Sequence, residues 1–319
     1  MPPRDELSAG KINTLDLNFR GIPGAIAAYC IPHSAGVMLV ECGPGSTLPV
    51  LMVELERLGL TPKDVTDVLL THIHLDHAGA AGWLSRQGAR VHVHPVGAPH
   101  LRDPRKLLES AERIYGDMMD TLWGEFLPVP EENLIVAEDG VPIEIGGLRF
   151  LPLDTPGHAN HHFAYIYEKT CFSGDIGAVR LAGTKHLRLP MPPPEFHLEK
   201  WRESLKKLQD RFNEGEFSRI APTHFGVFDD PGWHLAAVAE ALDEVEAWME
   251  AVMPEDPDID TLNAEFMAWI QQRAVEDGAE LTQVETYETA NPSWMSGYGI
   301  QRYWRKHRVE ENQREIGGR

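Results

Sequence analysis

The sequence predicts an α/β fold, with sheet faces covered by helices and a helical appendage at the C-terminal end. Three observations carry this. Short apolar runs alternate with helix-patterned segments over the first 230 residues. Gly, Pro and Asn punctuate the runs, and after residue 230 the pattern becomes helical throughout. Alternation of this kind builds a sheet with helices packed on it.

Taken in order, residues 25–31 and 36–41 are short apolar runs bounded by Pro and Gly, hence strands. Residues 48–58 carry helical apolar spacing closed by Gly59. Residues 65–71 form a buried-strand run, residues 78–87 a helix ending at Gly88, and residues 89–94 another strand. A helix is expected over 103–122. Residues 141–145 and 148–153 flank Gly146-Gly147 as a hairpin. Strands at 163–168 and 170–173 follow. The stretch 187–196 holds Pro190, Pro192, Pro193 and Pro194 and is no helix interior. Leu198, Trp201, Leu205, Leu208 and Phe212 share one helical stripe. Asp230-Pro231 then starts a helix, and a second is expected from 258 to 277. The first 230 residues are thus expected to form an α/β core and residues 231–319 a helical region with two amphipathic helices.

Apolar residues make up 42% of the 319, enough for a sizeable core. Carboxylates outnumber Lys plus Arg by 49 to 29, a formal charge of −20 that repels phosphate backbones and anionic lipids. A small-molecule substrate is expected, with neither nucleic acid nor membrane as partner. Three cysteines make no disulfide framework, and the first 17 residues hold no apolar stretch of a signal peptide. A cytoplasmic setting follows as an expectation.

Chemistry concentrates in Thr71-His72-Ile73-His74-Leu75-Asp76-His77-Ala78-Gly79, between a strand and a helix. Imidazole and carboxylate are ligands for zinc, manganese or iron. His72 and His74, two apart on extended backbone, point the same way. Asp76 and His77, past the turn, can address a second ion. Three further strand ends each carry one ligand type: Thr155-Pro156-Gly157-His158, Phe172-Ser173-Gly174-Asp175 and Pro222-Thr223-His224.

His-x-His-x-Asp-His, then Pro-Gly-His, Ser-Gly-Asp and a late Thr-His, resembles the metallo-β-lactamase superfamily, over about residues 12–230. Within it the pattern is similar to the glyoxalase II and lactonase branch, since true zinc β-lactamases carry Cys where this chain has Asp175. The resemblance implies an αββα sandwich with a dinuclear metal site at one edge. It implies His72, His74 and His158 on one ion, Asp76, His77 and His224 on the other, and Asp175 bridging. Two divalent ions, zinc first with iron or manganese as alternatives, would share a hydroxide nucleophile, which Asp76 could also orient. The implied activity is hydrolysis of an ester, thioester or lactone. A persulfide-dioxygenase-like iron enzyme, a phosphodiesterase and a non-catalytic metal-stabilised binding module are the competing readings.

The chain departs from named subfamilies. No Tyr follows Asp175 closely, as it does in quorum-signal lactonases. Leu181-Ala182-Gly183-Thr184 replaces the Gly-Cys-Gly-Arg-like segment of glutathione-linked enzymes, and Glu41-Cys42-Gly43 replaces Asp-x-Gly. Glu41 is a candidate to support the ligand loop from behind. His161 and His162 are candidates to line the site, with His162 a catalytic candidate in the outer layer. His92 and His94 are expected to be packed or solvent-facing, and Arg180 to form a surface salt bridge. Cys42 and Cys171 are expected as buried apolar residues. Residues 294–298, with Trp294 and Tyr298, read as a flexible aromatic stretch suited to a cap over the site. A homodimer contact is the other use considered for the C-terminal helices.

Overall fold

The computed structural model describes residues 8–310. Residues 1–7 and 311–319, the outer ends of the expected N-terminal stretch and C-terminal region, lie outside it. In chain order the elements begin with β1 (Asn13–Asp16), β2 (Ala27–His33), β3 (Gly36–Val40), α1 (Leu48–Arg57) and β4 (Val65–Leu69). Then come α2 (Leu75–Ala78), α3 (Ala81–Arg86), β5 (Arg90–Val93), α4 (Ala98–Arg102), α5 (Arg105–Tyr115) and α6 (Met119–Leu122). The second half holds β6 (Leu134–Val136), β7 (Ile143–Ile145), β8 (Leu148–Asp154), β9 (Phe163–Tyr167), β10 (Thr170–Phe172), α7 (Leu198–Asn213) and β11 (Arg219–Ala221). Four helices close the chain: α8 (Pro231–Val252), α9 (Ile259–Glu276), α10 (Leu281–Ala290) and α11 (Ser293–Tyr303).

Two sheets form, in the orders β1-β2-β3-β4-β5-β6 and β11-β10-β9-β8-β7. Strand period two sorts their side chains. Tyr29, Ile31, Met38 and Val40 face inward, against Phe150, Phe163, Tyr165 and Phe172 of the second sheet. The alternate residues Cys30 and Leu39 face outward, onto Leu51 and Leu55 of α1 and Leu84 of α3. On the other side Trp201, Leu205 and Leu208 of α7 pack with Leu235, Val238, Phe266 and Ile300 of the C-terminal helices. The result is the four-layer αββα sandwich. The helices α8, α9 and α11 share this core with α7, while Tyr287 of α10 packs in a smaller cluster with Val179 and Leu181.

Several expected boundaries move. The helix expected over 78–87 is two short helices separated at Gly79-Ala80. The one over 103–122 stops at Tyr115, where Gly116 takes φ 51°, and resumes as α6. The C-terminal region holds four helices within the described residues, and 294–298 belongs to α11. The stretch 294–298, expected to be flexible, is closely packed: a Cβ on Gly297 would overlap Asn263 Oδ1, and one on the following Gly299 the Met191 carbonyl.

Strands β4, β8, β10 and β11 all end at one edge of the sandwich. Tyr165 there donates from Oη to Leu70 O at 3.0 Å, the Phe163 N–H to Thr71 O at 2.7 Å, and the Ala27 N–H to Thr223 O at 2.9 Å. These bonds tie the two sheets together where the chemistry-bearing loops emerge.

Candidate metal centre

Five of the seven candidate ligands sit just past a strand end, His72 and His74 after β4, His158 after β8, Asp175 after β10 and His224 after β11, and Asp76 and His77 lie in the short helix α2 that follows β4. The first cluster is a triangle of ring nitrogens. His72 Nε2 and His74 Nδ1 are 3.0 Å apart, His74 Nδ1 and His158 Nε2 2.9 Å, and His158 Nε2 and His72 Nε2 3.2 Å. In the second, His77 Nε2 and His224 Nε2 each lie 3.5 Å from Asp76 Oδ2. Asp175 stands between the two. Its Oδ2 is 3.3 Å from His158 Nε2, and its Oδ1 is 3.4 Å from His77 Nε2 and 3.7 Å from His224 Nε2.

The second nitrogen of each ring shows what the first can do. His158 Nδ1 donates to Pro190 O at 2.8 Å and His224 Nδ1 to Ala25 O at 2.7 Å. A carbonyl only accepts, so both neutral rings carry the proton on Nδ1 and aim an Nε2 lone pair inward. The Thr71 hydroxyl donates to the Glu41 carboxylate, so its oxygen accepts from His72 Nδ1 at 3.0 Å. His72 Nε2 is then also a lone pair. His77 Nδ1 lies 3.4 Å from Glu41 Oε1, leaving its Nε2 toward the carboxylates.

This donor set fits metal ions and little else. Hydrogen bonds cannot satisfy a triangle of nitrogens, because each is donor or acceptor and one edge must join like with like. Here the His72–His158 edge sets lone pair against lone pair. An ion bound by imidazoles at about 2.0–2.1 Å spaces them by roughly 3.3 Å, close to the edges seen. His77 Nε2 and Asp175 Oδ1 are buried with no hydrogen-bond partner among the described residues. Such atoms are costly to bury unless a cation meets them.

Burial sets the electrostatics. It depresses His72 well below the usual imidazole range, with the neighbouring rings adding to it, and lowers His158 to about 4. Burial also opposes charge on Asp76 and Asp175, yet His77 and its neighbours outweigh it and hold both carboxyls below their ordinary values. For His77 burial works downward, and Asp76, Asp175 and Glu41 together raise it well above the ordinary value.

Glu41 stands where the sequence placed it. It is fully buried behind the ligand loop, and Thr71 N donates to its Oε1 at 3.3 Å, as does the Thr223 hydroxyl at 3.3 Å. His162 does not line the cavity. Its Nδ1 donates to Thr155 Oγ1 at 2.8 Å and its Nε2 accepts from Asp175 N at 3.2 Å, so it positions the Asp175 backbone. Gly174 has φ 51°, and a Cβ there would meet His162 Nε2 at 2.5 Å, so this corner needs glycine. His161 does line the cavity, accepting from Ile73 N at 3.4 Å and facing Glu195 Oε2 from Nε2 at 3.3 Å.

His92 is packed on Asp67 at 2.8 Å and His94 lies 3.2 Å from Asp154, both away from the centre. Arg180 corrects its expectation: it is buried, not on the surface. Its pair with Asp230 at 2.7 Å lies under Phe228, whose ring centroid is 3.9 Å from the guanidinium. Cys42 and Cys171 are fully buried.

A cavity of about 540 Å³ opens over the centre, reaching His74, Asp76, His158, Asp175 and His224. One wall is α5, and another is the α10–α11 junction with Pro292, Trp294 and Met295. Tyr115 Oη donates to Met295 Sδ at 2.9 Å, and its ring meets Trp294 at 5.7 Å, joining the walls. Tyr298, expected beside Trp294 in the pocket, is instead 44% exposed and outside the lining. Glu195 and Tyr115 were missed from sequence. The proline run before Glu195 signalled an irregular segment but not a wall.

The chain belongs to the metallo-β-lactamase superfamily, whose family model matches residues 21–211. Among similar proteins, the metallo-beta-lactamase fold-containing protein ST1585 of Sulfurisphaera tokodaii is 31% identical over 144 residues, 44% of this chain and 54% of that protein. A hydroxyacylglutathione hydrolase of Rhodopseudomonas palustris is 31% identical over 155 residues, 46% of this chain and 49% of that one. The aligned stretch spans about half of each relative. The metallo-beta-lactamase family protein TTHA1429 of Thermus thermophilus shares the fold over 94% of both chains, with a TM-score of 0.61 and 22% identity. Among the described residues no helix is long and apolar enough to cross a membrane.

Proposed function

We propose that this chain is a metal-dependent hydrolase holding two divalent ions, zinc first, and acting on an acyl thioester, ester or lactone. The observation that carries it is the pairing of two clusters around Asp175, with His72, His158 and His224 aiming lone pairs inward. In this reading His72, His74 and His158 hold one ion, Asp76, His77 and His224 the other, and Asp175 joins them. When bound, the ions supply an activated water and a Lewis acid for the substrate carbonyl. The protein's own contribution is orientation. Backbone carbonyls and Glu41 fix the tautomers, and His162 fixes Asp175. Asp76, held ionised beside His77 and His224, would also orient that water. Relatives named hydroxyacylglutathione hydrolase put a thioester first among the substrates. Residues 12–230 would supply the chemistry, and the region from 231 onward one wall of the pocket, as a cap that limits water and shapes substrate choice.

The test is a panel of acyl thioesters, lactones and phosphodiesters, assayed with metal-loaded and chelator-stripped protein. Metal-dependent turnover of an acyl substrate is expected. Turnover confined to phosphodiesters, or unaffected by stripping, would overturn the reading.

A further inference from the structure

The chain carries a formal charge of −20, yet the cavity wall is unusual for its cations. Arg20, Lys106 and Arg113 line it, and none forms an ion pair with any described residue. The wall's carboxylates are all engaged. Asp76 and Asp175 belong to the metal centre. Glu195 accepts from Asn160 N at 3.0 Å and faces His161. Glu288 pairs with Arg188 at 2.6 Å and accepts from Ser293 N at 3.0 Å. Positive charge is therefore what the wall has left to offer a ligand.

Helix α5 arranges that charge beside apolar surface. Lys106, Ser110 and Arg113 stand at i, i+4 and i+7, one stripe of the helix. Leu107, Ala111 and Ile114 form the adjoining stripe, and both line the cavity. The acids of the same helix, Glu109 and Glu112, are not in the lining. The cavity's 540 Å³ lies within the usual range for a small-molecule site, well above what a two-carbon acyl group fills.

We propose that this cavity selects an amphipathic anion: an acyl compound with an apolar body laid along Leu107, Ala111 and Ile114 and an anionic group, carboxylate or phosphate, held by Lys106, Arg113 and Arg20. This rests on the hydrolase reading only for the word acyl; the charge selection stands on the wall itself. The negative field of the remaining surface repels anions generally, so a local cationic wall is what admits this class.

The experiment uses the full-length, metal-loaded protein and two thioethers that cannot be hydrolysed, 3-(hexylthio)propanoate and 3-(hexylthio)propanamide, with calorimetric titration of each. They differ only in charge. Exposed charge pairs are individually weak, so the carboxylate is expected to bind about tenfold more tightly, with the preference shrinking as salt rises. Lys106→Glu/Arg113→Glu should abolish the preference and leave carboxamide affinity unchanged, which also shows an intact pocket. A preference surviving the double variant would put the carboxylate on the metals and overturn the assignment. Equal affinity of both thioethers in the natural sequence, or binding of neither, would overturn it too. The hexanoyl thioesters of 3-mercaptopropanoate and 3-mercaptopropanamide separate the two readings. Charge-dependent thioether binding without turnover of either thioester sinks the thioester hydrolase and leaves the anion pocket standing. Turnover of both at equal kcat/KM, insensitive to the double variant, does the reverse.

Discussion

Glu41→Gln tests the logic of the centre without touching a proposed ligand. The side chain is fully buried, and its Oε1 serves both clusters: it receives the Thr71 hydroxyl, whose oxygen accepts from His72 Nδ1, and lies 3.4 Å from His77 Nδ1. Glutamine keeps the shape and removes the charge. If its amide nitrogen faces Thr71, the hydroxyl must turn toward His72, whose proton then moves to Nε2 and blocks that ligand. If its oxygen faces Thr71, the amide N–H₂ takes the Oε2 position, buried and without a partner. Both arrangements weaken the centre. Loss of an outer partner typically costs tenfold to a hundredfold in metal affinity, about 1.4–2.7 kcal/mol, and Glu41 reaches both ions. Competition against a chromophoric chelator should show Kd rising by about that factor at each ion, with circular dichroism confirming the fold. An unchanged Kd would refute the tautomer argument.

Other expectations follow from the same geometry. Asp175→Asn should abolish hydrolysis and loosen at least one ion, read by metal analysis, whereas His92→Ala should leave metal content intact while costing roughly 1 kcal/mol in stability, since Asp67 keeps Arg90 and Thr66 as partners. His234 donates from Nε2 to Gly177 O at 2.6 Å, and burial lowers its pKa to about 4 from an ordinary 6.5. A depressed pKa favours the neutral ring in the folded state, so its stabilisation is whole above pH 6.5 and is lost as pH falls toward 4. About 3 kcal/mol goes across that window, and His234→Gln should flatten denaturation midpoints there relative to the natural protein. Trp294→Ala should shift KM or substrate preference with metals retained, and Tyr298→Ala, outside the lining, should not.

The candidate ligand positions were legible because each is a local pattern: a strand end followed by His, Asp or a Pro-Gly turn. The layers were legible because period two and period 3.6 separate the apolar faces. The supports were less so. Pro190 O and Ala25 O orient His158 and His224 through backbone atoms that carry no residue signature. Lys106 and Arg113 acquire meaning only once α5 lies over the centre, a placement set by tertiary packing. Arg180 read as a surface cation because the rings of Phe228 and Trp233 that cover it come from about 50 residues on. The stretch 294–298 read as flexible because the segments it packs on, such as that of Asn263, are distant in sequence.

The dinuclear centre is the central claim, and stoichiometric reconstitution tests it most directly. Chelator-stripped protein is titrated with zinc while bound metal is counted and acyl-thioester turnover is measured at each step. About two ions per chain are expected, with full turnover only as the second is filled and loss of that second ion in His224→Ala. Saturation at one ion, with His224→Ala binding metal as the natural protein does, would contradict it.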